Sequence, residues 1–306
     1  MAAGSTLTVE VEGRQLSLSN LDKVLYPEAG FTKGEVIRYY RQVAPALLPH
    51  LAGRPLTLKR YPDGVEKHFF YEKHCPRHRP DWVEVAPVWS GRNNAEIPFC
   101  VAGDLPTLVW VANLASLELH TSLSRADRID RPTMLVFDLD PGPPATVVEC
   151  CRIGLRLRDL FDQMGLVSVV KTSGSKGLQL YVPLNTDVRY DGGTKDFALT
   201  VAQLMEKRFP GEVVSSMKKE LRPGKVLIDW SQNDEHKTTV CVYSLRARPR
   251  PTVSTPVTWD EVEGCAESGD PATLVFEAGD VVARVTEMGD LFAPLNQLEQ
   301  ALPRLG

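Results

Sequence analysis

Several things are missing from this sequence, and each absence removes a class of protein. No apolar run reaches roughly 18 residues, so nothing in it reads as a membrane span. The opening Met1-Ala2-Ala3-Gly4-Ser5 leads into polar-alternating sequence without the apolar core of a secretion signal. Charge is nearly balanced, 35 Lys and Arg against 39 Asp and Glu, for a formal net charge of -4. A globally basic nucleic-acid binder is therefore excluded, and any anionic partner must meet a local basic patch. The six cysteines (Cys75, Cys100, Cys150, Cys151, Cys241, Cys265) form no CxxC pair. That argues against structural zinc and reads as six reduced thiols in a cytoplasmic protein. Repeats of about 20–50 residues are absent, which excludes solenoids and propellers. With 43% apolar and 24% charged residues, the chain is an ordinary globular one. Its 306 residues suffice for one large domain or two ordinary ones.

Periodicity then sets the elements. Thr6–Leu18 alternates like a hairpin around Gly13. Val36, Tyr39, Tyr40, Val43, Leu47 and Leu51 predict a helix over 32–51. Residues 56–72 and 82–99 read as strands, the second broken by a turn at Gly91-Arg92-Asn93-Asn94. Residues 108–116 read as a short apolar helix or turn. Thr146 and Glu149 make a capping-box pattern for a helix ending at Gly165, with Cys150, Ile153, Leu157, Leu160, Phe161 and Met164 as its stripe. Strands follow at 166–170 and 178–182, a helix at 195–209, and strands at 226–230 and 238–245. A Pro/Thr-rich tail from Pro249 becomes partly helical. Helices alternate with strands and hairpins, which predicts an α/β (α+β) fold with mixed central β-sheets flanked by helices.

The chemistry concentrates in a few places. In Leu135-Val136-Phe137-Asp138-Leu139-Asp140-Pro141 a strand would put Leu135, Phe137 and Leu139 on one face. Asp138 and Asp140 would share the other face, about 7 Å apart. Two carboxylates that close repel unless a cation lies between them, so the pattern points to divalent metal. Asp229, near the end of the apolar run Val226–Trp230, is a third acid in a similar setting. The loop Lys171-Thr172-Ser173-Gly174-Ser175-Lys176-Gly177 is suited to an anion, through small residues, hydroxyls and a cation. It lacks Walker A spacing. Arg222, Gln232, Lys237, Arg246 and Arg248 add basic and polar groups, the two last arginines on one face of an expected strand. Lys23, Lys33, Lys59 and Arg60 interleave with aromatics, and Phe69-Phe70-Tyr71 precedes Lys73, a pattern able to stack bases and contact phosphates. His120 alone points to nothing.

Taken in order, these segments resemble the polymerase domain of bacterial ligase D, within the archaeo-eukaryotic primase superfamily. The matching pieces are Asp22–Pro27, Gly53–Pro55, Lys59–Pro62, Phe70–Lys73, Leu117–His120, Leu135–Gly142, Thr172–Gly177, Lys225–Asn233, Lys237–Thr239 and Tyr243–Arg248. Ten ordered matches across roughly residues 15–260 are far more specific than any one of them.

The resemblance implies a primase-polymerase fold with an RRM-like catalytic core in a single catalytic domain, 1–306. An N-terminal DNA-end part would cover about 1–130, a metal and nucleotide core about 131–260, and a tail 261–306. It implies template-directed nucleotidyl transfer that fills short gaps or ends in DNA repair, with a ribonucleotide preference. Asp138, Asp140 and Asp229 would hold two divalent ions, manganese or magnesium. Ser173, Lys176, Gln179, Gln232 and Arg246 would hold the nucleoside triphosphate, with His120 near its sugar and phosphates and Lys59 and Arg60 in the same cleft. Phe70 and Tyr71 would stack the nascent base pair, Lys23 and Lys33 would take a DNA 5′-phosphate, and Arg222 and Arg248 would touch DNA. The implied partners are gapped or broken DNA, NTP or dNTP, a separate ATP-dependent DNA ligase and Ku, with no membrane. Gln179 departs from the pattern, which has histidine there; glutamine still donates a hydrogen bond but carries no charge. Tyr71 stands where phenylalanine is common. Two competing readings are a primer-synthesising primase and a catalytically silent DNA-end-binding module.

Overall fold

The computed structural model describes residues 6–91 and 93–303. The reading of Met1–Ser5 and the Arg92 position of the hairpin turn lie outside them. The chain forms two compact units, each assembled from separate stretches. Of the described residues, those up to 122 together with 240–253 and 276–289 make one; 123–239, 254–275 and those from 290 on make the other.

In the first unit the hairpin forms as Thr6–Val11 paired with Arg14–Ser19. The helix Lys33–Leu51 begins at Thr32, whose hydroxyl accepts from the Glu35 amide while Glu35 accepts from the Thr32 amide. Such a cap contributes about 1 kcal/mol. Its stripe of Val36, Tyr39, Tyr40, Val43, Leu47 and Leu51 is fully buried. Tyr39 and Tyr40 donate their hydroxyls to the carbonyls of Tyr243 and Leu117, which removes the cost of burying them. The sheet runs Ser116–Thr121, Leu56–Arg60, Ala95–Cys100, Val85–Ser90, and Phe70–Glu72 also pairs with Leu56–Arg60.

In the second unit six strands lie in the order Val213–Val214, Val226–Asp229, Met134–Pro141, Leu178–Pro183, Val169–Thr172, Pro256–Val257. All neighbours are antiparallel except the parallel first pair, so the sheet is mixed as expected. Leu135, Phe137 and Leu139 are completely buried on one face. The helix Val147–Gln163, capped by the Thr146–Glu149 box, covers that face. Phe161 packs against Phe137 with the rings tilted, 5.2 Å between their centres. Gly154 lets the helix lie close: a side-chain carbon there would come within 3.1 Å of Leu178.

Two expectations are corrected. Cys75 and Cys100 are joined in a disulfide, so the six thiols are not all reduced. The Cys75 amide donates to the Pro98 carbonyl, and this tertiary contact puts two cysteines 25 residues apart side by side. The other four are buried and take part in no disulfide. Residues 238–248 form a strand only at Thr239–Val240. Beyond it the chain turns, with Tyr243 at φ 63° and the Leu245 amide donating to the Tyr40 hydroxyl. Arg246 and Arg248 therefore do not share a strand face.

Candidate active site

The acidic strand Met134–Pro141 is central in its sheet, and its register places Asp138 between Gln179 on one neighbour and Asp229 on the other. Lys171 stands opposite Gln179 on the next strand. Four side chains thus form one row across the sheet: Lys171, Gln179, Asp138, Asp229. Directly opposed residues carry Cβ atoms about 5 Å apart, and like charges at that spacing repel. Asp140 stands one step along from Asp138 on the same face, at the rim of the sheet. Burial first, then Asp140 and Asp229, push the Asp138 carboxyl up to about 7, against a hydrogen bond from Gln179 and the charge of Lys171.

Asp229 ends its strand and opens a 3-10 turn, Trp230–Gln232. Its Oδ1 accepts from the Ser231 amide at 3.0 Å and hydroxyl at 2.5 Å, and its Oδ2 accepts from Gln232 Nε2 at 2.8 Å. Lys237 in turn donates to the Ser231 hydroxyl. Asn233 closes the turn. Its amide donates to the Val136 carbonyl and accepts from the Val136 amide, taking the place of a strand neighbour beyond Asp229.

Three carboxylates on one sheet face are hard oxygen donors of the kind manganese and magnesium take. Asp138 and Asp229, directly opposed, repel when both are ionised, and a divalent ion relieves that repulsion, so the donor set fits such an ion. Among the described residues no three His, Cys, Asp or Glu side chains are already gathered as a metal cage. Asp229 is instead turned onto its own 3-10 turn.

The loop after Thr172 is tightly shaped. The Ser173 hydroxyl accepts from the amides of Ser175 and Gly177, and the Ser173 amide donates to the Gly177 carbonyl. A side-chain carbon at Gly177 would sit 2.0 Å from the Leu139 carbonyl oxygen. Only glycine lets this loop close over the end of the acidic strand. Gly142 is as tight, 2.0 Å from the Arg222 carbonyl oxygen. The Arg222 guanidinium donates to the Met217 carbonyl, and Lys176 is exposed at the loop tip.

The first unit holds the other expected residues, three of which, His120, Lys59 and Arg246, gather on a group that the residue pattern did not single out. Glu118 is buried and accepts from His120 Nε2 at 2.9 Å and from the Ala247 amide at 3.1 Å. Lys59 at 3.3 Å and Arg246 at 3.5 Å complete an ion cluster around it. Burial works to raise the Glu118 carboxyl, but the His120 hydrogen bond and the Arg246 and Lys59 charges hold it well below the carboxylate range. Burial lowers His120 below the imidazole range in spite of Glu118. A buried acid on a strand, two residues before a histidine, is a signal visible in the sequence only once several cations are known to converge on it. The Lys59 ammonium lies over the rings of Tyr61, Phe69 and Tyr71 at 4.5–5.5 Å. Arg60 lies over Phe70 and donates to Glu72. Phe69, Phe70 and Tyr71 are exposed, an aromatic patch that calls for a partner.

Lys33 is buried and donates to the Ser19 carbonyl at 2.6 Å. Burial, Lys23 and Arg60 lower its ammonium to about 8. Lys23 donates to Asp63 at the surface. Arg248 is exposed.

Residues 32–292 match the family described as LigD, primase-polymerase domain. The chain belongs to that family. It is 43% identical over 250 residues to the multifunctional non-homologous end joining protein LigD of Mycolicibacterium smegmatis, covering 81% of this chain and 32% of that protein. To the bifunctional LigD of Bacillus subtilis it is 32% identical over 249 residues, 81% of this chain and 40% of the other. This LigD primase-polymerase chain therefore spans about a third of the length of the curated relatives it matches. Among solved structures, the polymerase domain from Mycobacterium tuberculosis ligase D in complex with DNA superposes with a TM-score of 0.85 at 38% identity, covering 93% of this chain and 99% of that one. The fold expected from the family resemblance is thereby confirmed.

Proposed function

We propose that this chain is a template-directed nucleotidyltransferase that fills short gaps or ends in broken DNA. The observation that carries the reading is the register that sets Asp138 against Asp229 with Asp140 beside them. In the reaction, a primer 3′-hydroxyl attacks the α-phosphate of a nucleoside triphosphate and pyrophosphate leaves. Two divalent ions, manganese or magnesium, held by Asp138, Asp140 and Asp229 would supply Lewis acidity to the hydroxyl and charge neutralisation to the pyrophosphate. The chain's own residues position and screen. In the second unit, Ser173 and Lys176 of the Ser173–Gly177 loop meet triphosphate oxygens, Gln179 and Gln232 donate hydrogen bonds, and Arg222 contacts DNA. In the first unit, Phe70 and Tyr71 stack a base, while His120, Arg246, Lys59 and Arg60 take the nucleotide's sugar and phosphates. Lys23 and Lys33 take a 5′-phosphate, and Arg248 adds a DNA contact. Ribonucleotides are the preferred substrate, and a separate ATP-dependent ligase and Ku are the repair partners.

The test is primer extension on a short 5′-phosphorylated gap, with manganese against magnesium and NTP against dNTP. Wild type extends the primer. Asp138→Ala abolishes extension but keeps DNA binding. Near wild-type extension by Asp138→Ala would sink the assignment, and dinucleotide synthesis on unprimed strands would favour the primase reading.

A further inference from the structure

The row that runs through Asp138 to Asp229 begins with a buried cation that the reaction above does not use. Lys171 is 1% exposed, on the strand Val169–Thr172. Its ammonium donates to Gln179 Oε1 at 2.5 Å and to the Ser254 hydroxyl at 2.6 Å, and Ser254 donates onward to the Thr172 carbonyl. An ammonium only donates, so the Gln179 amide must turn its oxygen toward Lys171. Its NH2 then faces the opposite way along the row, toward Asp138, which the register sets directly opposite. An ionised carboxylate only accepts, so this is the one polarity that satisfies both neighbours.

We infer that Lys171 is a positioning residue: its buried ammonium fixes the polarity of the Gln179 amide, which aims a donor at Asp138 and orients that carboxylate for the divalent ion. The inference rests on the metal-binding role proposed for Asp138. Without Lys171 the amide is free to flip and present its oxygen to Asp138, placing two acceptors face to face. Position 179 then needs one acceptor and one donor on opposite ends, a requirement that glutamine meets and a neutral imidazole meets equally.

Lys171 also acts on the ion through its charge, in the opposite sense, because a cation repels a cation. A double-mutant cycle separates the two effects, since the charge acts whatever stands at 179 while the orientation acts only through the amide. The readout is Mn2+ binding to the folded protein without nucleotide or DNA, followed by the electron paramagnetic resonance signal of free Mn2+. Lys171→Met and Gln179→Leu are compared singly and together. Lys171→Met is expected to weaken Mn2+ binding at least threefold more in the Gln179 background than in the Gln179→Leu background. Gln179→His should bind Mn2+ within about twofold of wild type, and Gln179→Leu should bind more weakly. Equal factors for Lys171→Met in both backgrounds would overturn the inference. Should Lys171→Met fail to fold, Ser254→Ala, which removes the ammonium's other acceptor, must show the same non-additivity in smaller measure, and additivity there overturns it too. Failure of the wild type to bind Mn2+ at all would instead remove the metal reading itself, and this inference with it.

Discussion

Glu118 is one carboxylate answering to two cations, an imidazole and a backbone amide in a place water does not reach. Removing its charge leaves Lys59 and Arg246 without their shared counter-ion, and breaking a buried pair typically costs about 3–5 kcal/mol. Glu118→Gln, which keeps the shape, should lower unfolding free energy by about 3 kcal/mol in denaturant titration and raise the KM for nucleotide more than it lowers kcat. An unchanged stability would mean the cluster is solvated. Lys33 makes a different kind of prediction. Its ammonium, lowered to about 8 by burial and by Lys23 and Arg60, loses its charge just above neutral pH. A DNA 5′-phosphate stays doubly charged there, since its second ionisation lies near 6. The preference for phosphorylated over unphosphorylated gaps should therefore fall as pH rises from about 7 to 9, and a Lys33→Met protein should show a small, flat preference. The sign for stability is the opposite: a lysine lowered in the folded state from 10.5 to about 8 costs stability progressively as pH falls across that window.

At the scale of elements, what was legible followed local rules. The helices Lys33–Leu51 and Val147–Gln163 were readable because a capping box and a 3.6-residue stripe are both local patterns. The acidic strand was readable because its second half alternates, buried Phe137 and Leu139 against Asp138 and Asp140. The opposition of Asp138 to Asp229 was not, because strand register is a tertiary fact that no window of sequence contains. The Cys75–Cys100 bridge and the turn after Val240 were misread for the same reason: a distant partner, the Pro98 carbonyl or the Tyr40 hydroxyl, outbid the local pattern. Asn233 shows how an element can be held by one side chain. Its amide makes two buried hydrogen bonds to Val136 and a half-buried one to the Trp230 carbonyl, and so fixes the turn that aims Asp229. Asn233→Leu strands a buried amide and carbonyl, at about 1–3 kcal/mol each. The protein should melt several degrees lower, and extension should fall further than stability alone explains. Wild-type extension by a stably folded Asn233→Leu protein would show that the turn tolerates another support.

For the molecule as a whole, the gathered acids make metal and stability one question. Asp138 ionises near 7 in the folded chain and near 3.8 when unfolded, so the folded state holds an extra proton between those values. Metal-free stability attributable to this group is full below about 3.8 and is lost as pH rises through 7. A divalent ion replaces the proton and removes the repulsion, so its stabilising effect grows as the proton leaves. Saturating Mn2+ should therefore raise the melting temperature more at pH 8 than at pH 6, by about 1.5 °C for each kcal/mol of coupling in a chain of this size. Asp138→Asn removes one of the opposed charges. It should melt at or above the wild type without metal, and the added Mn2+ should barely move it. A wild-type protein that gains the same few degrees at both pH values, or an Asp138→Asn protein that gains as much as wild type, would place the ion somewhere other than on these carboxylates.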